Sequence, residues 1–143
     1  MDPMEELLNE VRLLWHRLVQ VGERLHASEP ITLGMRAVLE FLARESPATV
    51  PGIARSRHVT RQHIQSLVNE LLERRLVELG DNPAHKRSPL VRLTREGERT
   101  IRRMKTKEAR LLARRHFGVS RPDLKKAAET LRAVRAALGG TRG

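Results

Sequence analysis

The chain has 143 residues, a formal net charge of +11 and no cysteine. That length suits a single domain with a real hydrophobic core, and the missing thiols exclude disulfides, thiolate metal sites and a thiol redox sensor. The charge is uneven, with 3 basic and 6 acidic side chains in residues 1–30 against 18 and 6 in residues 80–143, and such a basic half attracts polyanions, nucleic acid above all.

The acidic start, Met1-Asp2-Pro3-Met4-Glu5-Glu6, lacks the basic and apolar regions of a leader. No apolar run approaches the roughly 18 residues that span a bilayer, so the chain reads as a soluble, cytoplasmic protein with no membrane partner. From Met4 to Ala27, Leu7, Val11, Leu14, Leu18, Val21 and Leu25 recur at alternating spacings of 4 and 3. This predicts one long helix with a heptad-like seam. Leu8, Trp15 and Val19 widen the seam beyond what one side of a small core needs, so part of this helix is expected to meet a second subunit.

Thr32 caps a predicted second helix with Met35, Val38, Leu39 and Leu42 on one face, ending near Ser46 and Pro47. Thr49 and Val50 suit a minimal strand, and Pro51 suits the first turn of a short helix carrying Ile53 and Ala54. A tight turn follows at His58 and Val59. Thr60 then caps a helix from Arg61 to about Arg75 that points Ile64, Leu67, Val68, Leu71 and Leu72 inward. Its other face presents Arg61, Gln62, His63, Gln65, Ser66 and Asn69, residue types that read base edges in a DNA groove. Gln62 and Gln65 are expected to read bases, Arg61 a base or a phosphate, and Thr60 and Ser66 the backbone. Arg55 and Arg57, beside the turn, are phosphate candidates.

Leu76-Val77-Glu78-Leu79 and Leu90-Val91-Arg92-Leu93 alternate as strands of a hairpin whose tip, residues 80–89, is rich in turn formers. Lys86 and Arg87 near that tip are placed to reach a minor groove or a phosphate. Thr94 caps a long helix to about Phe117, with Gly118 as its stop. Its apolar stripe, Ile101, Met104, Leu111 and Leu112, is narrow, and most of its arginines are expected to be solvated or paired with acidic residues such as those of the first helix. Ser120-Arg121-Pro122-Asp123 resembles a capping box with Asp for Glu, opening a last helix with Leu124, Ala128, Leu131, Val134 and Leu138.

Together these residues resemble a MarR-type (multiple-antibiotic-resistance regulator) winged helix-turn-helix protein. The resemblance rests on Ile31-Thr32, Val59-Thr60-Arg61 through Leu71-Leu72, Leu76-Val77, and Asn82-Pro83-Ala84-His85-Lys86-Arg87 followed by Leu93-Thr94-Arg95-Glu96-Gly97. It implies a mainly α fold with a small β-hairpin wing, in the order helix, helix, strand, two helices, two strands, two helices. Residues 1–143 would form one domain, with 31–97 as the DNA-binding lobe and 1–30 and 98–143 as dimerisation helices. It further implies a homodimer on double-stranded DNA at a near-palindromic operator, nucleoid-associated when bound, acting as a repressor or activator and released by a small-molecule effector. Two positions depart from the family. His85 stands where the wing usually has an Asp that orients the wing arginine, and His58 fills a turn position often taken by glycine, where His tolerates positive φ.

Other chemistry finds little support. His58 and His63 are spaced poorly for a metal, and no carboxylate or cysteine completes a set. Trp15, His16 and His26 are candidates for an effector cleft, with a core or interface role as the favoured alternative. No phosphate-cradling loop, cysteine nucleophile or activated serine is present, so neither enzymatic activity nor a cofactor is expected. The rival readings are an architectural, nonspecific nucleic-acid-binding protein and a protein-interaction module.

Overall fold

The computed structural model describes residues 1–139, which form six helices and three short strands. Contacts divide the chain into two compact units, Met1–Arg110 and the chain from Leu111 onward.

In the first unit, α1 spans Pro3–Leu25, its start fixed by the Asp2 carboxylate, which accepts from the Met4 N–H at 2.8 Å. None of its residues is buried. Leu14, Trp15 and Leu18 are about half exposed, at 55%, 56% and 50%, so the expected apolar seam lies largely uncovered. α2, Leu33–Glu45, begins where Thr32 Oγ1 accepts from the Met35 N–H at 3.2 Å, and buries Met35, Val38, Leu39 and Leu42 as their spacing predicts. Phe41, which the periodicity did not single out, is buried with them.

The first strand, β1, is Ala48–Thr49, one residue earlier than expected. Thr49 Oγ1 accepts from the Gly52 N–H at 3.1 Å, so Thr49 caps α3 (Val50–Arg57) and Val50 is already helical. His58 ends α3 at φ 56°. The Val59 N–H returns to the Ala54 carbonyl at 3.1 Å, the left-handed turn that the sequence anticipates at this position. α4, Arg61–Glu73, starts with Thr60 Oγ1 accepting from the His63 N–H at 3.1 Å. It stops two residues short of the expected Arg75, because Arg75 itself turns left-handed at φ 58°. The Leu76 N–H closes that end on the Leu71 carbonyl at 3.0 Å.

β2, Val77–Gly80, and β3, Leu90–Leu93, pair antiparallel with Val77 opposite Leu93 and Gly80 opposite Leu90, and β1 adds to the far side of β3. α5, Arg95–Arg114, opens at Thr94, which knots three elements together. Its backbone N–H donates to the Leu76 carbonyl at 3.1 Å, its hydroxyl donates to the Arg75 carbonyl at 2.7 Å, and its oxygen accepts from the Gly97 N–H at 3.0 Å. The core joins Leu39, Leu42, Ile53, Val68, Leu71, Val91 and Ile101. Each such side chain contributes about 1.5–3 kcal/mol by leaving water.

α5 ends at Arg114, three residues before the expected Phe117, since Arg115, His116 and Phe117 are exposed and bury nothing that would hold another turn. Gly118 lies beyond it at φ 65°. α6 runs Arg121–Gly139 with no buried residue, and Leu124, Leu131 and Leu138 lie exposed along it. At its start the Asp123 N–H donates to Ser120 Oγ at 3.2 Å, while the Ser120 hydroxyl donates to the Asp123 carboxylate at 2.7 Å. Asp is one methylene shorter than Glu, and here its carboxylate takes the hydroxyl proton rather than the Ser120 backbone N–H.

Candidate nucleic-acid interface

Helix α4 turns its apolar row into the core, and that burial aims the opposite row outward. Arg61, Gln62, His63, Gln65, Ser66 and Asn69 are all exposed. Gln65 Nε2 donates to Asn69 Oδ1 at 2.9 Å, a pairing one turn apart on a single face. The bond holds the Gln65 amide while leaving its oxygen and second N–H free, the pair of groups that a bidentate contact to adenine needs.

The hairpin brings Arg87 to the same side. A cleft of about 380 Å³ is lined by Arg61, Gln62 and Gln65 from α4, by Arg87 and Ser88 from the wing, and by Pro51 at the start of α3. A second cleft, of about 280 Å³, joins Arg55 and Arg61 to Thr49, Asn82 and His85. Arg61 lines both. Arg57, His63 and Ser66 are exposed but outside these two linings, and Lys86 lines a separate hollow with Asp81 and Asn82. Thr60, also exposed, uses its oxygen as the α4 cap and keeps its hydroxyl proton for another acceptor.

The wing tip is built around Asn82. Its side-chain amide donates to the Ser88 carbonyl at 2.9 Å, its Oδ1 accepts from the Ala84 N–H at 3.2 Å, and its backbone carbonyl accepts from the His85 N–H at 3.1 Å. Asn82 therefore shapes the loop that carries Arg87, a role its turn-forming side chain signals and the reading of charged residues overlooked. Among the described residues Arg87 has no hydrogen-bond or ion-pair partner, and His85 makes no side-chain bond to it.

Two arginines of α5, Arg99 and Arg103, find carboxylates, though not those of the first helix, and Arg95, Arg102, Arg110 and Arg114 are exposed. Arg103 binds Glu29, in the loop after α1, at 2.8 Å and Glu96 at 3.6 Å, while Arg99 lies 3.8 Å from Glu96. A network that the sequence did not reveal ties α2 to α5. Arg36 donates to both oxygens of Glu108 and to Glu40 Oε2. The Glu108 hydrogen bond raises the Arg36 pKa against the opposing cost of burial. For Glu40, burial pushes upward, but the Arg36 hydrogen bond and the fields of Arg36, Lys105 and Arg44 outweigh it and lower the pKa. Buried His26 joins the network through Nε2, 3.3 Å from Glu108 Oε1.

A further cleft of about 590 Å³ is lined by Trp15, Val19, His26, Leu33, Arg74 and Met104, among others. Two of the effector candidates, Trp15 and His26, thus meet; His16 is exposed and outside that lining. The buried Nδ1 of His26 and Oε2 of Glu29 have no hydrogen-bond partner among the described residues. No described helix is long and apolar enough to cross a membrane.

A capped helix following a short helix and a tight turn, flanked by a basic two-stranded flap, defines a winged helix-turn-helix protein. The sequence model of the MarR family matches residues 36–88, which include all of α3 and α4 and most of the wing. The chain belongs to the MarR family of transcription regulators. It is similar to an uncharacterized protein of Mycobacterium tuberculosis, 36% identical over 100 residues that cover 70% of this chain and 69% of that relative. A solved MarR family transcription regulator superposes with a TM-score of 0.82 at 28% identity, covering 96% of this chain and 91% of the other. The PcaV transcriptional regulator of Streptomyces coelicolor, solved with its natural ligand, gives a TM-score of 0.71 at 27% identity over 87% and 91% of the two chains.

Proposed function

We propose that the chain acts as a homodimeric cytoplasmic repressor, not an enzyme, and occupies a near-palindromic operator in double-stranded DNA. The observation that carries this reading is the convergence of Arg61, Gln62, Gln65 and Arg87 on one cleft between α4 and the wing. In this reading Gln62 and Gln65 read base edges, and Arg61 reads a base or holds a phosphate. Thr60, Ser66, Arg55 and Arg57 bind the backbone, His63 lies at the edge of the reading face, and Arg87 and Lys86 reach from the wing.

Residues 31–97 serve as the DNA-binding lobe, and residues 1–30 and 98–143 as dimerisation helices that complete one functional domain. The uncovered apolar faces of α1 and α6 support that pairing. Half-sites would then lie about one helical turn apart, roughly 34 Å. The Trp15 and His26 cleft, beside α1, is the proposed effector site; that the chain takes an effector at all is supported by the similar PcaV regulator, which was solved with its natural ligand. An effector acts there by preferring a dimer spacing that mismatches DNA. The experiment is a footprint on the DNA upstream of the protein's own gene, expected to show two protected half-sites, followed by binding of Gln65→Ala to base-substituted operators. Base preferences identical to those of the unmutated protein would remove Gln65 as a reader, and the absence of paired half-sites would remove the dimeric operator complex.

A further inference from the structure

On α4, Arg61, Gln65 and Asn69 follow one another at intervals of four residues and form a single exposed row. Successive members lie about 6 Å apart along the helix axis. Arg61 and Gln65 line the cleft shared with the wing, whereas Asn69, one turn farther from the start of the helix, lies outside that lining. A recognition helix meets base edges with its N-terminal residues, so Asn69 is poorly placed to read a base and well placed to act on Gln65. The two side chains are bonded, with Asn69 Oδ1 accepting from Gln65 Nε2 at 2.9 Å.

That bond narrows what Gln65 can read. A primary amide carries two N–H donors and one acceptor oxygen. With both donors free, the Gln65 side chain could give one to N7 and one to O6 of guanine, or pair one donor and its oxygen with N7 and the N6 amino group of adenine. With one donor spent on Asn69, one donor and one acceptor remain. Those two groups fit the major-groove edge of adenine and cannot satisfy both acceptors of guanine.

We propose that Asn69 is a positioning residue that restricts Gln65 to adenine, so that each operator half-site carries an A·T pair at the position Gln65 faces. The inference rests on the reading of α4 as the base-reading helix. A bond between two exposed side chains one turn apart adds little to helix stability, and α4 is held from its other face by buried Ile64, Leu67, Val68 and Leu71. Replacing Asn69 therefore leaves the fold in place, and its effect falls on the choice between purines.

Selection of bound duplexes from a randomised DNA library, with the full chain and its variants Gln65→Ala, Asn69→Ala and Asn69→Asp, tests the proposal. The unmutated protein should enrich an adenine in each half-site that Gln65→Ala loses, and should favour it over guanine by about tenfold. Asn69→Ala should bring the two purines to near equality at that position alone. Asn69→Asp keeps the acceptor, so it should keep the adenine preference even as its negative charge weakens binding to every sequence. Circular dichroism confirms the fold of each variant. The proposal is overturned if Asn69→Ala keeps the full adenine preference, if Asn69→Asp loses it, or if Asn69→Ala alters a position that Gln65→Ala leaves alone. Enrichment of guanine by the unmutated protein at the Gln65 position, as the reverse polarity of the bond would require, overturns it too, as does a selected sequence with no position that depends on Gln65. If the unmutated protein enriches no sequence at all, the operator reading itself fails, and this proposal with it.

Discussion

A Cβ added at Gly97 would lie 2.0 Å from the Leu76 carbonyl oxygen, a backbone atom that is itself held by the Thr94 N–H. No rotamer relieves such an overlap, so Gly97→Ala must move either the wing's base or the start of α5. Urea unfolding should show a loss of about 3 kcal/mol, and a loss below about 0.5 kcal/mol would contradict the close packing. The two left-handed residues other than glycine among the described residues show how legible single positions are. His58 stands between a short helix and a Thr cap, so its neighbours announce a turn. Arg75 follows Arg74 at the end of a periodic helix with no glycine or asparagine to announce it. Local backbone bonds to the Leu72 and Leu71 carbonyls close that turn, and the Arg75 carbonyl accepts from the hydroxyl of Thr94, nineteen residues on, a tertiary bond that leaves no local trace. The Asn82 turn is half legible: its composition marks a loop, while the bond to Ser88 that shapes it requires the folded hairpin.

At the scale of elements, the helices are legible wherever an apolar period meets a capping residue, as at Thr32 and Thr60. Boundaries slip where capping and strand propensity compete, as at Thr49, or where periodicity runs on after burial ends, as at Arg115 to Phe117. The wing's charge is plain in Lys86 and Arg87, but its nearness to α4 depends on how β2 and β3 pair against the core. That nearness allows a direct test. With no carboxylate paired to it among the described residues, Arg87 is free for phosphate, and Arg87→Ala, which removes one contact from each protomer of the dimer, should weaken operator binding roughly tenfold or more and lower the salt slope by about 1.8. Unchanged affinity together with an unchanged slope would place the wing outside the interface. The α2–α5 ion network escapes a reading of the sequence because Arg36 and Glu108 are 72 positions apart and neither carries a motif.

At the scale of the whole molecule, α1 and α6 each present exposed apolar side chains, and neither helix has a fully buried residue. Such surfaces mark association sites, and the heptad-like spacing of the α1 leucines and valines points to the same need. A charge on each row, Leu14→Glu with Leu131→Glu, should shift the sedimentation mass from dimer to monomer and abolish tight operator binding with it. A mass that stays dimeric would move the interface elsewhere. The charge distribution poses the rival account, because the basic excess behind residue 80 would serve a nonspecific polyanion binder equally well. Specific reading by α4 and bulk attraction by exposed cations differ most in one quantity. That quantity is the affinity for the upstream DNA fragment relative to random competitor DNA of the same length at physiological salt. Reading by Gln62, Gln65 and Arg61 predicts a preference of roughly a thousandfold or more, whereas equal affinity for both DNAs would contradict it.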